Sequence, residues 1–388
     1  MEQRNAFITE WCKGEHSITE LSRIFEISRK TAYKWLERFE HSGRAGLGDG
    51  SRAPHHSPQA ISRERAAAIV AERQTHPTWG ARKIVQSLMR KHPKEEWPAA
   101  SSVGDLLKRE GLIQGHRVRR KTPPYTDPLQ HAKKPNQVWS VDFKGWFRYG
   151  DGDRCDPFTT TDALSRKVLC LQATQKTDGV HVKGVMEATF RKWGLPDGIR
   201  SDNGSPFASR APGGLSRLSM WWLQLGIRHE RIDPGCPQQN GRHERMHRVL
   251  KQETANPPKA NRRLQQEAFA AFQREYNDER PHEALEWKTP SDLYLPSARP
   301  YPARLPELEY PQGVHLRRIS QQGSLKWKCE RTFFSEVLAR QTVGLLEIED
   351  NFFEVYYGPL LIGWFDGRSH LFKPEQPKPR KRRRQVQG

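Results

Sequence analysis

Three acidic residues occupy settings that seldom hold a charge without a reason. Asp142 interrupts the apolar run Val138–Phe143, Asp202 closes the short stretch Ile199-Arg200-Ser201, and Glu244 lies on the basic segment Arg242–Lys251. A carboxylate inside an apolar strand is costly to bury, and converging carboxylates raise one another's pKa and resist ionisation. Divalent cations relieve both costs. Mg²⁺ prefers carboxylate oxygens and water, and a pair of such ions about 4 Å apart can activate the attacking oxygen and stabilise the departing one in an in-line phosphoryl displacement.

The elements around these residues must bring them together. Val138–Phe143 reads as a central strand, Phe158–Asp162 with Lys167–Ala173 as a hairpin, Val180–Trp193 as a helix, and Ile199–Asp202 as a strand ending at the polar turn Asn203-Gly204. Trp221–Gly226 belongs to a helix, Gln238–Glu253 and Arg262–Asn277 to two more, and strands and helices in this order imply an α/β layer domain over 132–295. On the Glu244 helix, His247, Arg248 and Lys251 fall at i+3, i+4 and i+7 from Glu244, while Met246, Val249 and Leu250 make the apolar side. That face suits either a metal-binding carboxylate with cations gripping phosphates, or a solvated surface with an ordinary Glu244–Arg248 pair.

Upstream, Ser17-Ile18-Thr19-Glu20 has the shape of a capping box and opens a helix, and after a tight turn Ser28 can cap a second helix. Residues 1–50 thus read as a helix-turn-helix domain with Arg29, Lys30, Tyr33 and Lys34 turned outward to DNA, or as a three-helix bundle with a solvated basic face. Three further helices (Arg63–Arg73, Gly80–Arg90, Ala100–Glu110), anchored by Trp79 and Trp97, make a second helical module over 57–116, a DNA reader or a dimerisation bundle. A basic connector with Arg117, Arg119, Arg120 and Lys121 leads from it. After the proline-rich stretch 296–311, β-rich runs suggest a small β-barrel over 305–372, and the basic tail 373–388 should stay disordered until it meets a polyanion.

Charge agrees with such a partner. Against 45 Asp and Glu stand 65 Lys and Arg, a net +20 that favours DNA, RNA or an acidic membrane surface. No apolar run reaches the roughly 18 residues of a membrane span, and the polar start is unlike a signal peptide, so a soluble cytoplasmic protein is expected. The five cysteines include no CxxC pair, which argues against a disulfide framework or a zinc finger.

Three blocks carry a resemblance: Trp139-Ser140-Val141-Asp142-Phe143, then Arg200-Ser201-Asp202-Asn203-Gly204, then Pro237–Arg245 with His247 and Leu250-Lys251. In that order they resemble the catalytic blocks of the DDE transposases and retroviral integrases. Asp162–Lys167 is similar to that family's second-strand turn. Tyr276-Asn277, Arg280-Pro281-His282, Leu285, Thr289-Pro290 and Tyr294 are similar to the closing segment of bacterial insertion-sequence transposases. The resemblance implies an RNase H-like core in which Asp142, Asp202 and Glu244 are both catalytic and metal-binding, with two Mg²⁺, or Mn²⁺ in their place. It implies hydrolysis of the phosphodiester at a transposon's terminal inverted repeat, attack of the freed 3′-hydroxyl on target DNA, and a homo-oligomer, dimer or tetramer, that holds two ends. Asn203, Arg245, Arg248 and Lys251 would then touch DNA, Asn240 and Gly241 would shape or cap the Glu244 helix, and Arg280 and His282 would close the core or touch DNA as well.

Between Asp202 and Glu244 lie 41 residues, more than in many family members, and the excess is expected in Pro206–Met220 as a surface insertion. Two other readings remain: a non-catalytic, sequence-specific DNA-binding relative, and a structure-selective nuclease on the same core. A pure binder would gain affinity by losing the three carboxylates, and a nuclease needs neither the helical modules nor the β-domain.

Overall fold

The computed structural model describes residues 2–49, 60–113, 129, 132–233 and 236–375. Arg117, Arg119, Arg120, Lys121 and the tail from 376 lie outside them. The chain divides into two compact units, Met1–Ser62 and Arg63–Gly388.

The first unit holds three helices, α1 (Glu2–Lys13), α2 (Ile18–Ile24) and α3 (Arg29–Ser42). Ser17 and Glu20 form the reciprocal capping box at the start of α2, and the Ser28 side chain accepts from the Thr31 N–H to start α3. Phe7, Ile8, Leu21, Ala32, Trp35, Leu36 and Leu47 share one small core. Arg29, Lys30, Tyr33 and Lys34 all lie on the exposed side of α3.

The second unit begins with α4 (Arg63–Thr75), α5 (Ala81–Lys91) and α6 (Ala100–Arg109), packed through Ile69, Trp79, Ile84, Leu88, Val103 and Leu107. The α/β layer follows. Its strands are β1 (Val138–Phe143), β2 (Phe147–Arg148), β3 (Arg154–Asp162), β4 (Val168–Thr174), β5 (Gly198–Ser201) and β6 (Arg228–Arg231). β4, β3 and β1 run antiparallel to their neighbours, β5 and β6 continue parallel to β1, and β2 extends the start of β3.

Alternation along the strands assigns a core to each face. Trp139, Val141, Phe158 and Ile199 point to the face covered by α7 (Gly179–Trp193) and α8 (Arg217–Gln224), where Val182, Met186, Phe190, Trp221 and Trp222 meet them. Leu171, Ala173 and Cys155 point to the other face, covered by α9 (Gly241–Thr254) and α10 (Arg262–Arg274) through Met246, Leu250, Phe269 and Phe272. Beyond α10 a π-helical turn (Glu275–Glu279) and a short helix, α11 (Pro290–Leu293), close the layer.

The C-terminal strands are β7 (His315–Arg318), β8 (Ser324–Trp327), β9 (Glu330–Phe333), β10 (Thr342–Glu349), β11 (Phe352–Tyr357), β12 (Leu360–Asp366) and β13 (Leu371–Lys373). They do not close into the expected barrel. β13-β12-β11-β10-β7 is an open antiparallel sheet, and β8-β9 is a separate hairpin. A physical reason is visible in the core: Leu325 of the hairpin, with Phe334 and Leu338 that follow it, packs with the sheet's apolar residues, and Leu215 and Met220 of the α/β layer complete the cluster. The sheet buries its apolar face against other elements instead of against itself.

Those last two residues correct a second expectation. Pro206–Met220 is not a surface insertion: Pro206, Phe207, Ala208, Pro212, Leu215, Ser216, Leu218, Ser219 and Met220 are buried. Phe207 enters the main core while Leu215 and Met220 seat the C-terminal sheet. At Gly213, with φ +67°, an added Cβ would stand 3.0 Å from Ile362 Cγ2, so the chain passes too close to β12 for a side chain.

Candidate active site

The two aspartates come from neighbouring parallel strands. Val138 pairs with Gly198, Trp139 with Ile199 and Ser140 with Arg200, so two residues further along each strand Asp142 and Asp202 stand level at the same edge. Trp139 and Val141 point into the α7–α8 core, so Ser140 and Asp142 point to the opposite face, the one α9 covers. α9 begins at Gly241 and carries Glu244 in its first turn, exposed.

Electrostatics link the three carboxylates. Burial first, then the charge of Asp202, then that of Glu244 push the Asp142 carboxyl up from 3.8 to about 7, against the Phe143 N–H and Lys144, which lower it. A cation is the natural relief for such a carboxyl, and an all-carboxylate donor set suits a hard divalent ion. Among the described residues, no three His, Cys, Asp or Glu side chains stand close enough together to enclose an ion as they are. Asp142 and Asp202 therefore share an edge of the sheet, and Glu244 on α9 shares their field.

Asp202 is braced by its own turn. Its Oδ1 accepts the Gly204 N–H at 3.1 Å, and a Cβ at 204 would come within 3.1 Å of Oδ2. Asn203 donates its amide to the Ile232 carbonyl at 2.7 Å, which ties this turn to the one after β6. Arg200 lies beneath, donating to Glu230 Oε2 at 3.2 Å and to the Gln239 carbonyl at 3.3 Å.

α9 meets the sheet through polar groups. His243 and His247 are buried, and both Nε2 atoms reach Thr159 Oγ1, at 2.6 and 2.7 Å. Thr159 pairs with Asp142 across β1 and β3, and its hydroxyl also lies 3.0 Å from the Asp142 carbonyl oxygen. Thr161 Oγ1 reaches His243 Nδ1 at 2.8 Å. Burial lowers His243 to about 3 and holds His247 well below its usual value, so both rings are neutral.

This changes the helix face read from the sequence. His247 belongs with Met246 and Leu250 on the packed side, while Glu244, Arg245, Arg248 and Lys251 are exposed. Among the described residues Glu244 and Arg248 form no ion pair, and Asn240 at the N-cap makes no side-chain capping bond. Arg280 and His282 are buried: Arg280 donates to Glu253 at 2.9 Å and lies 3.5 Å from Glu275 Oε1, and the His282 ring meets Tyr276 edge-on. The histidine–threonine cluster escaped the sequence reading. Its signal was the i, i+4 spacing of His243 and His247 opposite the alternate threonines 159 and 161.

Residues 132–237 and 225–290 match two models described as integrase core domain, residues 4–55 a helix-turn-helix domain, and residues 31–107 a homeodomain-like domain. The chain thus carries an integrase core preceded by helix-turn-helix domains. It is similar to an uncharacterised 31.7 kDa protein of insertion element IS407 from Burkholderia multivorans, with 29% identity over 190 residues, 48% of this chain and 66% of that one. An uncharacterised 39.2 kDa protein of insertion element IS476 from Xanthomonas euvesicatoria is 28% identical over 231 residues, 58% of this chain and 63% of its own. The match thus spans slightly less than two thirds of the length of either relative. Among solved structures, the HTLV-2 integrase catalytic core domain in complex with magnesium overlaps at a TM-score of 0.33 and 17% identity, covering 42% of this chain and 99% of that one.

Proposed function

We propose that the chain is a DNA transposase that cleaves phosphodiesters at transposon ends and joins the freed 3′-hydroxyl to target DNA. The observation that carries this is the pair of level aspartates on adjacent parallel strands, with the Asp142 carboxyl raised to about 7 by burial and by the charges of Asp202 and Glu244. Asp142, Asp202 and Glu244 would hold two Mg²⁺ or Mn²⁺. Bound there, such ions supply Lewis-acid activation of the entering oxygen and charge stabilisation of the departing one.

The chain's own residues do the rest. Asp202 is oriented by the Gly204 N–H, and Asp142 by the strand pairing on either side of β1. Arg245, Arg248 and Lys251 project from α9 beyond Glu244, exposed and ready to grip phosphates along a substrate strand, with Asn203 at the neighbouring turn. Arg29, Lys30, Tyr33 and Lys34 present a basic, aromatic helix face of the kind that enters a major groove, for reading the terminal inverted repeats. In this reading 1–50 and 57–116, with Arg117, Arg119, Arg120 and Lys121 after them, bind DNA, 132–295 does the chemistry, 305–372 supports it, and the tail 373–388 follows phosphates. The protein works as a dimer or tetramer on double-stranded DNA in the bacterial cytoplasm. No described helix is long and apolar enough to cross a membrane.

Incubation of the full chain with end-containing duplex and Mg²⁺ tests this. Wild type should nick at the transposon end, while Asp142→Asn, Asp202→Asn and Glu244→Gln should each lose at least about 10³-fold in rate and keep DNA binding. Full-rate cutting by any of the three would refute the assignment. Tight binding with no cutting by wild type would favour the non-catalytic DNA-binding relative.

A further inference from the structure

We propose that Thr159, clasped by His243 and His247, is a positioning residue that fixes the Glu244 helix against the Asp142 strand. This deepens the reading given above and rests on it.

Proton counting argues the case. A hydroxyl has one hydrogen to give and two lone pairs to accept with. Thr159 Oγ1 has three partners: the Asp142 carbonyl oxygen at 3.0 Å, His243 Nε2 at 2.6 Å and His247 Nε2 at 2.7 Å. The carbonyl can only accept, so the single hydroxyl proton goes to it. Both imidazoles must then donate from Nε2, which fills the two lone pairs. His243 Nδ1 is left as an acceptor, and the Thr161 hydroxyl meets it at 2.8 Å. These four hydrogen bonds are all made in one arrangement of the protons only.

The consequence falls on Asp142. His247 Nδ1 lies 3.8 Å from Asp142 Oδ2. His247 is thereby held beside that residue through its bond to Thr159. The same hydroxyl ties the backbone of β1 to α9 one turn from Glu244. Thr161 also bonds to α9 and Met246 adds packing, but among the described residues Thr159 alone hydrogen-bonds to both β1 and α9.

Thr159→Val keeps the shape and removes the hydroxyl, whereas Thr159→Ser keeps the hydroxyl. Two readouts on the full chain separate positioning from plain stability: Mn²⁺ affinity by electron paramagnetic resonance titration, and end cleavage as a function of Mg²⁺. Thr159→Val should weaken Mn²⁺ binding at least about 5-fold and slow cleavage about 10- to 100-fold with end binding intact, and Thr159→Ser should stay within about 3-fold of wild type. A second pair guards against misfolding. His247→Gln carries a donor near the Nε2 position and His247→Asn does not, so Gln should retain Mn²⁺ affinity and Asn should lose it. Equal Mn²⁺ affinity for Thr159→Val, Thr159→Ser and wild type, or for the two His247 variants, overturns the inference even if wild type cuts normally. Wild type that binds Mn²⁺ with the predicted Val–Ser difference yet never cuts end DNA would leave the inference standing and count against the transposase reading.

Discussion

Asp142 shows how one residue can be arranged against the stability of its own fold. Its carboxyl titrates at about 7 in the folded chain against an ordinary 3.8, because burial and two neighbouring negative charges disfavour ionisation. A raised carboxyl contributes stability that is fully present below the unfolded pKa and lost as pH rises through the folded one, here between about pH 4 and 7. Metal-free Asp142→Asn is therefore expected to be more stable than wild type at pH 8, by about 2 to 4 kcal/mol, and equal to it near pH 4. Urea unfolding at both pH values in the presence of a chelator checks this. A variant no more stable than wild type at pH 8 would mean that the site does not strain the fold.

At the scale of elements, the second helical module is joined to the α/β layer by polar groups. Thr78 and Arg280 share Glu253 at 2.5 and 2.9 Å, Trp79 Nε1 donates to Glu275 at 2.9 Å, and Arg90 grips Asp292 with both terminal nitrogens. Burial raises Glu275 to about 7 even with Arg280 beside it. Removing the buried guanidinium would leave Glu253 and Glu275 with no cation hydrogen-bonded between them, only Lys83 in their field, so Arg280→Ala should cost about 3 to 5 kcal/mol of stability at pH 8. Denaturant midpoints would report it, and a loss under about 1 kcal/mol would show that the carboxylates find other relief.

What the sequence disclosed follows the same physics. β1, β4, α7 and β11 were legible because their apolar residues repeat at strand or helix period, and the aspartates stood out by interrupting apolar runs. β6, Arg-His-Glu-Arg, carries no apolar residue and is a strand only because it pairs with β5, a tertiary cause invisible in local pattern. α1 was passed over because the capping box at Ser17 marked a later start, although Phe7 and Ile8 supply the core of that unit. His243 and His247 were hidden since a histidine satisfied by a threonine packs like an apolar residue but scores as polar. The buried course of Pro206–Met220 was hidden for a related reason: glycine, serine and proline signal a surface loop until a second domain lies on top of them.

At the scale of the whole molecule, cutting and joining require more than a cluster of acids. The C-terminal sheet is seated on Leu215 and Met220, residues of the same stretch that separates Asp202 from Glu244, so the supporting sheet and the proposed metal site are two ends of one segment. The second helical module closes on α9 and the π-turn from another side. The central claim is that this assembly transfers DNA strands. Its most direct test bypasses cleavage: the full chain is given a pre-cut transposon end with a free 3′-hydroxyl, a supercoiled target plasmid and Mg²⁺, and joined product is measured by gel. Covalent end–target product that vanishes with a 3′-deoxy end and with Asp202→Asn is the predicted result. Bound complexes that yield no joined product, or product indifferent to Asp202→Asn, would contradict it.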